Sequence, residues 1–173
     1  MSSNIYLIGF MGTGKTTVGR LLAKELNMDF VDTDEFIEQG MGMTVPSIFG
    51  IYGEAFFRQL EHNALISIAN RQGMVVSTGG GIVLRNDNID IMRSSGVMVC
   101  LDASVDTIMR NVGSGKGRPV LDGGDLRRNI IELMDKRRQF YCQADIIVNI
   151  DDKTLETISD KIIALLKQRG FSA

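Results

Sequence analysis

The chain has 173 residues, of which 44% are hydrophobic and 23% are charged, and its formal net charge is −2. This length is that of one domain with one hydrophobic core, so we expect a single domain over residues 1–173. The slightly negative charge argues against a general nucleic-acid-binding protein, which would carry a basic surface. We therefore expect no nucleic-acid partner. The chain is also expected to act as a monomer on small-molecule substrates.

Two further classes of protein are disfavoured by the sequence. No apolar run approaches the roughly 18 residues of a membrane span, and the first basic residue is Lys15, which is too late for the start of a secretory signal. We expect a cytoplasmic protein without a membrane partner. Cys100 and Cys142 are too few for a disulfide framework or a zinc site and are interpreted as reduced thiols. The sole histidine, His62, is interpreted as a polar position on a helix.

Short runs rich in β-formers alternate with longer segments of helical period. Strands are predicted over residues 4–9, 29–32, 73–78, 96–101 and 145–150. Helices are predicted over residues 16–26, 55–70 and 154–167, where apolar side chains recur three or four positions apart. This alternation is typical of an α/β fold in which helices cover both faces of a parallel sheet.

The first predicted strand leads into the sequence GFMGTGKTT at residues 9–17, which matches the pattern G-x-x-x-x-G-K-[ST]. Glycines at these positions let backbone N–H groups turn inward at the positive end of the next helix and bind phosphate oxygens. Lys15 would then reach the β and γ phosphates, and the Thr16 hydroxyl would bind Mg²⁺. The loop therefore predicts a nucleoside triphosphate as phosphate donor.

The second predicted strand ends in an acidic pair, Asp32 and Asp34. Residues two apart on an extended strand point the same way, and ligands of open parallel sheets bind where the strands end. One carboxylate is expected to hold Mg²⁺ through water, and the other to meet the hydroxyl of a phosphate acceptor. The alternative interpretation is capping of the following helix by Thr33 or Asp34.

Three more features are expected at the same edge of the sheet. Residues 77–81 read STGGG after the third strand, and consecutive glycines let a ligand approach bare backbone N–H groups. Glu54 and Arg58 are four apart on a predicted helix, and a simple surface ion pair is the alternative there. Three basic residues, 136–138, precede the last strand.

A glycine-rich segment over residues 113–124 holds five of the 19 glycines and has no apolar period. Because folded structure is predicted both before and after this segment, we interpret it as a mobile lid over about residues 113–125 rather than a linker. The surrounding region, residues 110–138, holds eight basic and four acidic residues, a local excess of positive charge that suits an anionic ligand.

Together these residues resemble the shikimate kinase family. The matching pieces, in chain order, are GFMGTGKTT, DTD, IFGIYGEAFFR, STGGG, GRPVL and the arginine four residues before Tyr141. The resemblance covers nearly the whole chain and implies a P-loop NTPase fold, with a three-layer α/β/α architecture and a five-stranded parallel sheet in the order 2-3-1-4-5. It also implies a substrate-binding helical segment over about residues 33–61.

The resemblance further implies an ATP-dependent kinase that uses one Mg²⁺ ion to phosphorylate the 3-hydroxyl of shikimate in aromatic amino acid biosynthesis. Residues assigned to ATP are Gly12, Thr13, Gly14, Lys15, Thr16, Thr17, Arg110 near adenine, and Arg118 in the lid. Thr16 would ligate Mg²⁺ directly and Asp32 through water. Residues assigned to shikimate are Asp34, Arg58, Gly79, Gly80, Gly81 and Arg137. The catalytic residues would be Lys15, Asp34 and Arg118.

Several alternatives remain open at this point. Arg138 could replace Arg137 as a carboxylate clamp if the register slipped by one residue, and Asp34 could either take the proton or only orient the hydroxyl. Another small-molecule kinase of the same fold, such as a gluconate or nucleoside monophosphate kinase, would share the loop. A GTPase switch is disfavoured because the sequence has no Asn-Lys-x-Asp run. An inactive regulatory relative is disfavoured by the intact set of polar residues.

Overall fold

Five parallel strands form one sheet in the order β2-β3-β1-β4-β5 in the computed structural model, which describes residues 3–113 and 125–171. The strands are β1 (Asn4–Ile8), β2 (Asp29–Asp32), β3 (Met74–Ser77), β4 (Gly96–Asp102) and β5 (Ile146–Asn149). Every neighbouring pair is parallel. The predicted strand order is confirmed, and each predicted strand end lies within one residue of the observed end.

Helices follow the strands on both faces of the sheet. They are α1 (Lys15–Leu26), α2 (Thr33–Met41), α3 (Val45–Ala69), α4 (Asn86–Ser95), α5 (Val105–Val112), α6 (Leu126–Tyr141) and α7 (Leu155–Gln168), with a 3₁₀ turn over Ile82–Leu84. Among the helices of the described ranges, none combines the length and apolar character that crossing a bilayer requires.

Helix α3 begins ten residues before the predicted start at residue 55. Gly53 has φ 80° and ψ 171°, which interrupts the helix and joins two helical stretches at a kink. The apolar period that predicted the helix belongs to the second stretch, so the prediction missed the first. Glycine suits this position because a side chain rarely adopts a positive φ.

The core has two halves, one on each face of the sheet. Ile5, Leu7 and Val99 point to the face that α1 and α7 cover, whereas Tyr6, Ile8 and Met98 point to the face of α3 and α4. Alternate residues of a strand face opposite sides, and β1, the central strand, is buried on both. A third, smaller cluster joins α2 to α3 through Ile37, Ile48, Phe57 and Ala64.

This architecture brings the polar strand ends together. The loop at residues 9–14 follows β1, Asp32 ends β2, and Ser77 ends β3, all at the same edge of three adjacent strands. Open α/β sheets bind ligands at this edge.

We expect Gly96→Ala to destabilise the fold, because a Cβ atom at Gly96 would lie 2.1 Å from the Asn4 carbonyl oxygen and 3.0 Å from the Tyr6 ring. Overpacking between β1 and β4 should lower the free energy of unfolding by about 1–3 kcal/mol. Urea denaturation measures the change.

The matched control is Gly40→Ala on α2, where a Cβ atom would meet no atom within 4 Å. This control should leave stability unchanged or raise it by about 0.5–1 kcal/mol, the helix preference of alanine over glycine. Equal midpoints for the Gly96 variant and the unmodified chain would contradict the packing argument.

Candidate active site

The loop between β1 and α1 is shaped by its glycines. Gly9, Gly12 and Gly14 all have positive φ, at 138°, 78° and 78°. Gly14 is the N-cap of α1 and supplies no side-chain cap, so the N–H groups of the first turn remain available to an anion. A Cβ atom at Gly14 would meet nothing within 4 Å, so this face of the loop is open.

The Lys15 ammonium lies over the loop itself. Lys15 Nζ donates to the carbonyl oxygens of Gly9 at 2.8 Å and Phe10 at 2.9 Å, and the residue is only 8% exposed. The loop is braced from outside by Asn111, whose Nδ2 donates to the Gly12 carbonyl oxygen at 2.8 Å. Thr13 is buried in the loop, and Thr17 lies exposed on α1. A phosphate group on this loop would meet a positive charge that is already in place.

Asp32 connects the loop to α2 by using both of its carboxylate oxygens. Oδ2 accepts a hydrogen bond from Thr16 Oγ1 at 2.7 Å, and Oδ1 accepts from the backbone N–H groups of Asp34 and Glu35 at 2.9 and 3.3 Å. The N-cap of α2 is therefore Asp32, and the alternative of capping by Thr33 or Asp34 is wrong. Thr33 Oγ1 instead accepts from the Gly79 N–H at 2.9 Å.

Asp34 and Glu61 place two carboxylates beside Gly79. A Cβ atom at Gly79 would lie 2.9 Å from Asp34 Oδ1 and 2.4 Å from Glu61 Oε1, so only glycine leaves room for both. Burial raises the pKa of Asp34 to about 7, and the negative charges of Glu61 and Asp32 add to this shift while Lys15 opposes it. Burial also raises the pKa of Glu61, against the opposing effect of neighbouring Arg58.

Arg58 is held by two carboxylates of its own helix. Its Nε and Nη2 donate to Glu54 Oε1 at 3.2 and 2.8 Å, and its Nη1 donates to Glu61 Oε2. The guanidinium packs on Gly81, where a Cβ atom would lie 2.3 Å from Nη1. The predicted pair of Glu54 and Arg58 is present, but the Arg58 side chain is only 15% exposed, so it is more than a surface ion pair.

Arg137 reaches the same glycine turn from α6. Its Nη1 donates to the Gly80 carbonyl oxygen at 3.2 Å, and the Tyr141 hydroxyl donates to that oxygen at 2.6 Å. Burial raises the pKa of Tyr141 to about 12, which keeps the phenol protonated as a donor. Arg137 is 3% exposed whereas Arg138 is exposed to solvent, so the residue that faces the turn is Arg137.

Three buried side-chain atoms lack a hydrogen-bond partner within residues 3–113 and 125–171. They are Asp34 Oδ1, Glu61 Oε1 and Arg137 Nε. All three belong to side chains that contact the turn at residues 79–81. Because buried polar groups are nearly always paired, this concentration indicates a site for a ligand with both hydroxyl donors and an acceptor.

Two other arginines, Arg110 and Arg118, are predicted to bind ATP. Arg110 on α5 is 65% exposed and lies 3.6 Å from Asp152, with its Nη2 donating to Thr107 Oγ1 at 2.9 Å. Arg118 and residues 114–124 of the predicted lid lie outside the described residues.

Two polar residues of this site, Glu61 and Asn111, were not predicted from the sequence. Glu61 follows Arg58 by three positions on one helix, a spacing that places the two side chains on the same face, so the pattern was available. Asn111 carries no such pattern, because its partner Gly12 is 99 positions away in the chain.

Known proteins resemble this chain along nearly its whole length. The family model described as shikimate kinase matches residues 11–167. A shikimate kinase of Caldanaerobacter subterraneus subsp. tengcongensis is 43% identical over 168 residues, which cover 96% of this chain and 98% of the relative.

Solved structures agree with the sequence relatives. Shikimate kinase from Acinetobacter baumannii in complex with shikimate superimposes with a TM-score of 0.94 at 32% identity, covering 98% of this chain and 95% of that one. Shikimate kinase from Bacteroides thetaiotaomicron gives a TM-score of 0.87 at 38% identity, covering 95% and 98% of the two chains. Since sequence and fold match over almost all of the chain, this protein belongs to the shikimate kinase family.

Proposed function

We propose that the chain transfers the γ-phosphate of ATP to the 3-hydroxyl of shikimate in a Mg²⁺-dependent reaction, giving ADP and shikimate 3-phosphate. The observation that carries this proposal is the group of unpaired buried atoms, Asp34 Oδ1, Glu61 Oε1 and Arg137 Nε, beside a phosphate-binding loop. A hydroxylated carboxylic acid brings the donors and the acceptor that these atoms need. The shikimate complex of the Acinetobacter baumannii relative supports the same choice of acceptor.

The donor half of the site comprises the proposed ATP-binding residues Gly12 to Thr17. Phosphoryl transfer needs positioning and neutralisation of the charge on the phosphoryl oxygens rather than a covalent intermediate. The N–H groups at the start of α1 would hold the phosphates. Lys15 would exchange its contacts with the Gly9 and Phe10 carbonyls for phosphate oxygens as charge develops on them.

Thr16 and Asp32 are the proposed holders of Mg²⁺. Their oxygens lie 2.7 Å apart, and Ser77 Oγ lies 3.3 Å from Thr16 Oγ1, so three hard oxygens converge at the start of α1. Mg²⁺ prefers such ligands and commonly uses one or two side chains together with water and phosphates. When bound, the ion supplies positive charge to the phosphate oxygens.

The acceptor half of the site uses the proposed substrate residues around the glycine turn. Arg58 and Arg137 would bind the carboxylate, because a planar guanidinium matches a carboxylate better than an ammonium does. The backbone of residues 79–81 would approach the acceptor directly. Asp34 would accept a hydrogen bond from the attacking hydroxyl and orient or deprotonate it for in-line attack.

The proposal includes parts that lie at the edge of the site. Arg118 would close over the phosphates with a lid at about residues 113–125, and Arg110 would pack near adenine. We further propose that the chain acts as a single domain, as a cytoplasmic monomer without nucleic-acid or membrane partners.

A coupled ADP-release assay with separate acceptors tests this function. With ATP and Mg²⁺, we expect turnover with shikimate and none above background with gluconate or AMP, with quinate as a close analogue for comparison. Two arginines and a buried carboxylate favour a hydroxylated acid over a nucleotide acceptor. Selective turnover of any acceptor other than shikimate would overturn the proposal.

Substitution of two basic residues should separate the halves of the site. Arg58→Ala should weaken shikimate binding by roughly 10- to 100-fold, because hydrogen bonds to a charged group contribute about 1.5–3 kcal/mol. ATP binding should stay nearly unchanged. Lys15→Ala should chiefly lower kcat, by about 10²–10³. Calorimetric titration of each substrate and steady-state kinetics provide the readouts. Equal losses of both affinities in the Arg58 variant would contradict the clamp.

Gly81→Ala should disturb the acceptor half alone, because a Cβ atom there would overlap the Arg58 guanidinium. Displacing Arg58 should raise the KM for shikimate by roughly 5- to 150-fold, as expected from an overpacking cost of about 1–3 kcal/mol. The matched control is Gly50→Ala on α3, where a Cβ atom would meet nothing within 4 Å. An unchanged KM for shikimate in a folded Gly81 variant would argue against the stacking contact.

A further inference from the structure

We propose that Glu54 is an internal competitor at the acceptor site, whose carboxylate occupies Arg58 and weakens binding of an acid until the carboxylate of the acceptor displaces it. This inference rests on the proposed function and assigns a role to the first residue after the kink at Gly53. A bound acid must compete with an internal carboxylate for the same guanidinium. An acceptor without a carboxylate would leave the pair of Glu54 and Arg58 intact.

The hydrogen bonds of Arg58 identify the contested edge. A guanidinium binds a carboxylate best along an edge that presents two N–H donors. Nε and Nη2 form one such edge, and both donate to the single atom Glu54 Oε1, at 3.2 and 2.8 Å. Glu61 takes only Nη1, from the other side. A ligand that uses the Nε and Nη2 edge must therefore displace Glu54.

The two carboxylates differ in how readily they can leave. The Glu61 side chain is 1% exposed, whereas the Glu54 side chain is 54% exposed. Moving Glu61 away would leave a buried carboxylate without its cation, which is costly. Glu54 can rotate into water, where its charge is solvated at once. Glu54 is therefore the partner that a ligand can displace.

Arg58 stays in position when Glu54 leaves. Its guanidinium carbon lies 5.6 Å from the centre of the Phe57 ring and 5.9 Å from that of Phe49, and it packs on Gly81. The ion pair with Glu61 also remains. These contacts orient the guanidinium before the ligand arrives, so Glu54 is not needed to aim it.

The charges around the glycine turn also favour displacement of Glu54 by an anionic acceptor. Three acidic side chains, Asp34, Glu54 and Glu61, lie near two guanidinium groups, those of Arg58 and Arg137. An anionic acceptor would add another negative charge to this group. Release of Glu54 into solvent removes one carboxylate from the cluster as the carboxylate of the acceptor enters.

The test compares Glu54→Gln and Glu54→Ala with the unmodified chain by calorimetric titration of shikimate. Both variants should bind shikimate about two- to fivefold more tightly, which is the scale of a partly exposed ion pair. The methyl ester of shikimate, which has no carboxylate, serves as a second probe, and its affinity should not increase. Glu132→Gln is the matched control, because Glu132 pairs with Arg128 at the same i,i+4 spacing on α6.

The outcomes separate the competing explanations. Unchanged or weaker shikimate binding in the glutamine variant would overturn the inference. Weaker binding in the alanine variant alone would also overturn it, because Glu54 would then be needed to position Arg58. An equal gain for the ester would also overturn it, because the gain would not depend on a carboxylate. If the unmodified chain binds no shikimate, the proposed function itself fails, whatever the Glu54 variants do.

Discussion

Gly80 lies between the proposed donor and acceptor halves of the site. Its oxygen accepts hydrogen bonds from Arg137 and Tyr141 of α6, while a Cβ atom at Gly80 would lie 3.5 Å from the Gly9 carbonyl oxygen and 3.4 Å from the Met11 nitrogen. The glycine turn after β3 therefore lies close to the backbone of the loop after β1. This proximity is possible because β1 and β3 are neighbours in the sheet, and it would fix the distance between the proposed donor and acceptor halves. Transfer between two bound molecules depends on such fixed geometry.

Around this contact the fold concentrates buried charge that contributes little to stability. Glu61 is almost fully buried and bonded to Arg58, and Asp34 has a pKa raised to about 7 by burial. Burying an ion pair often costs more than the pair returns, and an unpaired buried oxygen costs more still. The two hydrophobic halves of the sheet and the small cluster between α2 and α3 must offset this cost. Such a distribution is typical of sites whose polar groups are completed by a ligand.

Much of the fold could be predicted because buried parallel strands are apolar and short, and their ends are marked by glycine or acidic residues. The kink at Gly53 could not be predicted from the sequence, because the first stretch of α3 exposes Ile51 and Tyr52 and lacks a clear apolar period. The motifs predicted which segments meet at this edge of the sheet, but which residue of a segment faces the glycine turn could be read only from the structure. Residues 136–138 are all basic, and only helix α6 decides that the middle one faces Gly80. Likewise Asp32 caps α2 because its extended backbone lets one carboxylate oxygen reach two N–H groups, a geometry that composition does not specify.

The phosphate loop is held by elements far away in sequence as well as by its own glycines. Asn111 donates to the Gly12 carbonyl oxygen, and a Cβ atom at Gly12 would lie 2.9 Å from Val112 Cγ2. Gly12 thus serves two purposes, a positive φ and a close approach to α5. Helix α5 ends at Val112, directly before the segment predicted as the lid. The phosphate loop therefore contacts the last turn of α5 at Asn111 and Val112. The loop after β1 thus lies between the glycine turn at Gly80 on one side and the end of α5 on the other, so two elements distant in sequence support its shape.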